Sequence, residues 1–217
     1  MQHIKSARRP FLAGLAALAV SGCGAQSFFK KIDTPPNLYR LTPKSTFGDD
    51  LKPVNWQLVV DIPVAPAGIN TQRVALMRSP IQVEYYANSN WTDRAPLMFQ
   101  GLIVESFENS QMITSVGRQS VGLRSDFVLL VDMREFQMEY FDGAVEPSAH
   151  VRVNCKLVEM PDRLIVANES FEAIEVSRSD TMLDIVDAMD LALGKVLKGI
   201  VRWTLTVGEA YRPQNQS

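Results

Sequence analysis

The side chains best suited to covalent or metal chemistry are few in this chain: two cysteines, Cys23 and Cys155, and two histidines, His3 and His150. Two cysteines are too few for a disulfide framework or for a zinc site made of cysteine alone. Two histidines argue against a multi-histidine metal centre. The position of each of these residues along the chain therefore matters more than their number.

Cys23 stands at the end of a segment typical of secretion. Residues 1–10 carry three Lys or Arg side chains and no acidic one, and Phe11–Val20 is an unbroken apolar run of ten residues. This run is shorter than the ~20 residues that span a bilayer, and its layout is that of a signal peptide. Ser21 and Gly22 lead into Cys23 as in a bacterial lipobox, which predicts cleavage before Cys23 and attachment of fatty acyl chains, palmitate among them, to its thiol and new amino terminus. The alternative is an ordinary signal peptide cleaved nearby, with Cys23 in place by chance.

Lipidation of Cys23 would decide where the protein resides. Each buried methylene contributes ~0.8 kcal/mol, so three acyl chains would anchor the protein without a spanning helix. Gly24 follows the cysteine. An aspartate at that place retains lipoproteins in the inner membrane of well-studied bacteria. We therefore expect a lipid-anchored protein on the periplasmic face of the outer membrane.

Removal of residues 1–22 would change the composition of the chain. The formal net charge would move from −2 to −5, because 19 Lys and Arg would remain against 24 Asp and Glu. One histidine, His150, and one thiol, Cys155, would remain, which excludes an intrachain disulfide. Cys155 lies in the alternating stretch Val151–Leu157 and is predicted to be a small core hydrophobe. The acidic charge and the anchor together oppose nucleic-acid binding.

Catalysis would require a nucleophile with a base, paired carboxylates or a metal cluster. His150 is the one histidine that a Ser–His–Asp triad could use, and it has no nucleophile-elbow motif beside it, so it is predicted to be a surface or strand-edge residue. The sequence contains neither GxxxxGK[ST] nor GxGxxG, the phosphate-binding motifs. Asp132, Glu135 and Glu139 are expected on a solvated face of a strand. We therefore predict no enzyme activity, no cofactor and no metal site.

The elements that must position these residues are mostly strands. The β-rich candidates are Asn37–Leu41, Trp56–Ile62, Arg73–Met77, Ile81–Tyr86, Met112–Val116, Phe127–Tyr140, His150–Glu159 and Leu164–Val176. The last three are long and are separated by short turns, which predicts an antiparallel meander. Residues 136–140 alternate between apolar and polar side chains, as a half-buried strand does.

Two segments show helical periodicity. Pro96 suits the first turn of a helix, and apolar residues follow it at helical spacing as far as Asn109. A second helix is predicted from Met182 over about six turns, with aspartates in its first half and Lys or Arg in its second, an order that complements the helix dipole. Ser179 or Asp180 is expected to cap its start, and Gly208 is expected to lie just past its end.

Two helices and seven or eight strands predict a single α+β domain. We expect a largely antiparallel or mixed sheet with two main helices on one face. No interior linker demands a division into two domains, although the sequence does not exclude one. The predicted organisation is a signal peptide (1–22), a lipidated N-terminus and tether (23–36), a folded domain (37–207) and a polar tail (208–217).

The order of several short motifs resembles that of the ABC-type transport auxiliary lipoproteins, a family that includes proteins like paraquat-inducible protein C. A lipobox is followed by Leu38–Leu41 (LYRL), then by Arg73–Arg78 (RVALMR), then by Glu84–Asp93 (EYYANSNWTD) leading into a helix. The resemblance covers roughly residues 38–207, and it implies that one group of residues is a packing signature or a possible interface. This group is Tyr39, Leu41, Arg73, Tyr86 and Trp91. From the residues alone, the aromatic side chains around Tyr86 fit a core or interface better than a lipid or peptide groove.

The resemblance also implies a function. It predicts a lipid-anchored periplasmic accessory subunit of an MCE/ABC-type intermembrane lipid transport system, docking the transport assembly at the outer membrane. Its partners would be an MCE-domain protein and, through it, an ABC permease and ATPase, and a homo-oligomer is implied as well. The alternative is an outer-membrane assembly or cell-wall-synthase-activating lipoprotein of similar size. A periplasmic enzyme using His150 is the third possibility.

Overall fold

The computed structural model describes residues 35–118 and 124–212 of the 217-residue chain. The predictions for the signal peptide and Cys23, and for all of the tether but its last two residues, concern residues outside the described ones. So do those for the last five residues of the tail. From Pro35 onward the chain forms one compact unit with one hydrophobic core.

Eight strands and two helices make up the described part of this unit, which confirms the α+β prediction. The strands are β1 (Asn37–Tyr39), β2 (Val54–Val60), β3 (Arg73–Ser79), β4 (Gln82–Trp91), β5 (Ile113–Arg118), β6 (Phe127–Glu139), β7 (Ser148–Glu159) and β8 (Leu164–Val176). The helices are α1 (Ala95–Ser110) and α2 (Met182–Tyr211), and a short 3-10 turn spans Phe141–Gly143.

The eight strands form one mixed sheet organised around β6. One edge of β6 pairs along its length with β7, which pairs with β8, and both pairings are antiparallel. These three strands are the predicted meander. The other edge of β6 pairs in parallel with β2 at its start and with β3 at its end. Beyond these, β5 joins β2 and the order β3–β4–β1 extends the sheet.

Helix α2 differs from its prediction at both ends. Its N-cap is Thr181, whose side chain accepts a hydrogen bond from the backbone N–H of Asp184, and neither Ser179 nor Asp180 holds this position. The prediction that Gly208 lies past its end is wrong, because α2 continues to Tyr211. Gly208 is buried in the last turns, where a Cβ atom would lie 2.7 Å from Cζ2 of Trp56. Packing against this indole therefore extends the helix through a residue that often ends one.

Both helices cover the same face of the sheet. They contact each other, and α2 lies over β7 and β8. Phe171 of β8 packs edge-on against Trp203 of α2, with ring centroids 5.8 Å apart, and Lys195 of α2 pairs with Glu175 of β8. Among the described residues, no helix is both long and apolar enough to cross a membrane.

Candidate functional site

The residues singled out by the resemblance separate into buried and surface positions. Leu41 is buried, and Trp91 is 1% exposed and packs against Phe136 with ring centroids 5.9 Å apart. The backbone N–H of Trp91 also donates to the carbonyl oxygen of Gln72 at 2.7 Å. These two residues of the group are therefore core residues, and the pairing of β4 with β1 places Trp91.

The other three residues of the group are half-buried or exposed. Tyr39 pairs with Trp91 in the parallel β1–β4 ladder. Arg73 is exposed, and its guanidinium carbon lies 3.8 Å from the ring centroid of Tyr85. The hydroxyl of Tyr86 is 2.8 Å from that of Tyr140, and burial together with this hydrogen bond raises the pKa of Tyr86. All five residues thus make packing contacts or pair within the sheet, and an interface role for them stays a prediction.

Cys155 lies on β7 and is fully buried in the core. Burial raises the pKa of its thiol well above the usual value, which keeps the side chain protonated at neutral pH. Because the thiolate is the reactive form of cysteine, this residue is an inert member of the core. The prediction that Cys155 acts as a small hydrophobe is confirmed.

His150 occupies a different place from the one predicted. It lies on β7, which is flanked on both sides by β6 and β8, and its side chain is 13% exposed. The expectation of a surface or strand-edge residue is therefore corrected to a half-buried residue on an inner strand. The reason is the order of the strands: the meander places β7 between its two neighbours, so that both can direct side chains towards His150.

A bulge in β6 determines which side chains share the face of His150. The core-facing apolar residues of β6 are odd-numbered up to Met133 and even-numbered from Phe136. Between them the pairing with β7 shifts, from Met133 opposite Val153 to Glu135 opposite Arg152. A bulge inserts one extra residue and so turns the following side chains to the other face. The odd-numbered residues 135–139 consequently lie on the face of the sheet opposite the helices.

Six polar side chains meet on that face, and we call them the polar cluster. They are Glu135, Gln137, Glu139, His150, Arg152 and Glu172. Both ring nitrogens of His150 contact carboxylates, with Nδ1 at 2.8 Å from Glu139 Oε1 and Nε2 at 2.6 Å from Glu172 Oε1. The histidine thus bridges an acid of β6 and an acid of β8.

The rest of the polar cluster fixes the two acids of β6. Nε2 of Gln137 donates to Glu135 at 2.7 Å and to Glu139 at 2.9 Å, and Gln137 is itself 3% exposed. Arg152 donates to the second oxygen of Glu135 at 2.6 Å. The amide therefore holds the two carboxylates side by side, directed towards His150.

The electrostatics of the polar cluster follow from these contacts. Burial favours the neutral form of His150, but its bonds to Glu139 and Glu172 outweigh burial and raise the pKa of the ring above its usual value. For Glu135, burial is again opposed by hydrogen bonds, from Gln137 and Arg152, and the pKa of the carboxyl is lowered. The contacts of the cluster therefore favour the ionised form of Glu135 and the protonated form of His150.

The solvated face expected for Glu135 and Glu139 is thus a half-buried network. One ligand atom from each of Glu135, Glu139 and His150 lies within 4.8 Å of the other two. Sequence reasoning missed this grouping because no short motif joins positions 135, 139 and 150. The available signal was the polar residue at every second position of two neighbouring strands, and the strand register was needed to use it.

Comparison with known proteins identifies relatives of the whole domain. The family model for the ABC-type transport auxiliary lipoprotein component matches residues 39–201. An uncharacterized protein, bll6063 of Bradyrhizobium diazoefficiens, is 26% identical over 200 residues, which are 89% of this chain and 49% of that protein. The chain thus spans about half the length of this curated relative.

Solved structures show the same fold. Protein XCC0632 from Xanthomonas campestris is 29% identical and superposes with a TM-score of 0.77, over 82% of this chain and 99% of that one. The hypothetical protein CT253 from Chlamydia trachomatis, 12% identical, has a TM-score of 0.51 over 72% of this chain and 99% of its own, and shows a likeness of fold alone. The family is one of transport auxiliary components and is not a known enzyme family. Because its model matches residues 39–201, which are about three quarters of the 217 residues, the chain belongs to the ABC-type transport auxiliary lipoprotein family.

Proposed function

We propose that this chain is the lipid-anchored periplasmic accessory subunit of an MCE/ABC-type intermembrane lipid transport system, and that it docks the transport assembly at the outer membrane. The observation that carries the proposal is the family match over residues 39–201, which spans nearly all of the compact unit. The family name associates its members with ABC-type transport and with a lipid anchor. The MCE-domain partner and the outer-membrane position are the parts that experiments must test.

The length of the tether supports a docking role. Eleven residues lie between Cys23 and Pro35, where the compact unit begins. An extended chain covers at most ~3.3–3.6 Å per residue, so a tether of this length allows a reach of at most about 40 Å from the bilayer surface. An anchored domain with this reach can meet an assembly that approaches from the inner membrane without entering the bilayer itself.

The anchor is tested by exchanging each cysteine in turn. We expect Cys23→Ala to lose the acyl-dependent membrane association, whereas Cys155→Ala, which removes only the buried thiol, should stay with the membranes. The measurement is the partition of each variant in detergent phase separation, together with the mass of the mature amino terminus. An unmodified Cys23 in the wild-type chain, or cleavage elsewhere, would overturn the proposed localisation.

The partner is tested by capture of the anchored chain from membranes in mild detergent. We expect an MCE-domain protein, with its permease and ATPase, among the recovered proteins. The matched control carries residues 1–36 of this chain fused to an unrelated soluble domain, so it has the same anchor and tether without the folded unit. The homo-oligomer belongs to the same proposal, and the mass of the purified particle measures it.

Two outcomes contradict the proposal. Equal recovery of the MCE-domain protein with the control would show that the shared membrane, and not this domain, brings the two together. Recovery of an outer-membrane assembly factor or a cell-wall synthase in its place would favour the alternative function for a lipoprotein of this size.

A further inference from the structure

We propose that Glu135, Glu139 and His150 form a divalent-cation site of the zinc type on the face of the sheet opposite the helices. The proposal does not depend on the transport function. It concerns residues on β6 and β7, and the family relation assigns no ligand to them. Their ligand atoms lie within 4.8 Å of one another, which small side-chain adjustments can close onto one ion.

The hydrogen bonds of His150 provide the first argument for a cation. Nδ1 and Nε2 each contact a carboxylate oxygen, at 2.8 and 2.6 Å. A neutral imidazole has one N–H and can donate to only one of these acids. Its other nitrogen would then direct a lone pair at a carboxylate, so a positive charge is needed between them. Without metal a second proton supplies this charge, and a metal ion bound to the nitrogen would take the place of that proton. At the Nδ1 side, the ion would lie between His150 and the two acids of β6.

The second argument is the arrangement around the histidine. If Nδ1 binds the ion, Nε2–H remains free to donate to Glu172 at the observed 2.6 Å. A carboxylate that accepts from the far nitrogen of a metal-bound histidine fixes the tautomer and the orientation of the ring. Glu172, on β8, is already in this position.

Charge provides the third argument. Three carboxylates, those of Glu135, Glu139 and Glu172, face one guanidinium, that of Arg152. Acidic groups thus outnumber basic ones in the polar cluster even when His150 is counted with Arg152, and the side chains of Glu139 and His150 are only 14% and 13% exposed. Carboxylates removed from water need a compensating positive charge, which a divalent cation supplies.

The donor set favours zinc over other common divalent cations. One imidazole nitrogen and two carboxylate oxygens are ligands that zinc accepts, and the fourth position of a tetrahedral ion is left to water. Magnesium and calcium prefer sites made of oxygen alone. The buried amide of Gln137, which bonds both Glu135 and Glu139, holds the two oxygen ligands side by side before any ion arrives.

The experiment is a zinc titration of the full chain, purified in detergent, against a fluorescent zinc chelator. We expect the wild-type chain to withdraw one zinc ion from the chelator and magnesium to leave the binding unchanged. His150→Gln and Glu139→Gln should abolish this competition. Glu169→Gln should not change it, because the exposed carboxylate of Glu169 on β8 accepts from the backbone N–H of Ser170 and is not part of the polar cluster. Glu172→Gln keeps all three ligands and should lower the affinity for zinc by roughly 10–100-fold, which is the usual effect of removing the hydrogen-bond partner of a ligating histidine.

Two results would overturn the site. The first is a wild-type chain that does not compete for zinc, which would leave a cluster held together by protons alone. The second is zinc binding that survives in His150→Gln and Glu139→Gln. Each variant is first compared with the wild type by circular dichroism, and Glu172→Gln decides the question if the other two fail to fold. Zinc-dependent shifts of the His150 ring resonances in a histidine-labelled sample give an independent reading.

Discussion

Replacement of Trp91 by alanine should lower the free energy of unfolding by about 3–5 kcal/mol, the usual cost of removing a large aromatic side chain from a core. The indole is 1% exposed and packs against Phe136, and the backbone at this position pairs with Tyr39 of β1 and bonds Gln72. Whole domains are stable by only about 5–15 kcal/mol. The substitution should therefore lower the urea concentration at the midpoint of unfolding by a large amount, as measured by far-UV circular dichroism. A soluble form that begins at Gly24 contains the whole compact unit and suits this measurement.

Arg73→Ala is the matched comparison, since both residues belong to the group implied by the resemblance. Arg73 is exposed and stacks on Tyr85. Loss of an exposed cation–π contact should cost only about 0.5–1 kcal/mol. Equal decreases in the free energy of unfolding for Trp91→Ala and Arg73→Ala would contradict the division of this group into core and surface residues. A stable Trp91→Ala that no longer captures the MCE-domain partner would indicate an interface instead.

The second large effect is expected at the C-terminal end of α2, where Gly208→Ala should destabilise the protein. Replacing a glycine inside a helix by alanine normally stabilises the helix by about 1 kcal/mol. At Gly208 the added Cβ would lie 2.7 Å from Cζ2 of Trp56. This indole cannot move aside easily, because it is fully buried, packs on Phe127 with ring centroids 5.1 Å apart and donates to Glu209 at 3.2 Å. Overpacking of this kind costs about 1–3 kcal/mol.

Gly194→Ala in the same helix should have the opposite effect and stabilise the protein. The nearest atom to a Cβ at Gly194 is Cδ of Lys44, at 4.0 Å, so this substitution gains helix propensity without a clash. The two variants should therefore differ by about 1–3 kcal/mol in their free energies of unfolding, which is the overpacking cost present only at Gly208. The same urea titration measures both. A Gly208→Ala variant as stable as Gly194→Ala would show that α2 frays before Gly208, as the sequence alone suggested.

The secondary structure was largely predictable because its signals are local. The run of apolar residues from Met182 at helical spacing predicted α2, and Pro96 marked the start of α1. Three long β-rich segments separated by short turns predicted the meander of β6, β7 and β8. These features depend on residues within a few positions of one another, and a single sequence contains that information.

The ends of α2 show where local signals stop being sufficient. Ser179, Asp180 and Thr181 are all residue types that can cap a helix, and only the path of the chain from β8 made Thr181 the cap. A glycine near the end of an apolar stripe predicts a stop, yet Gly208 is helical because Trp56 of β2 packs against it. These two residues are 152 positions apart, so no local rule connects them.

By itself, the sequence determined the type and order of the main elements, the inert character of Cys155 and the resemblance that the family match confirmed. The tertiary structure alone decided what surrounds His150. The bulge between Met133 and Glu135 turns the acids of β6 outward, and the antiparallel register places them beside His150 on β7. A shift of one residue in either feature would direct these acids into the core. The polar cluster is therefore a consequence of strand pairing, which the spacing of residues along the chain does not specify.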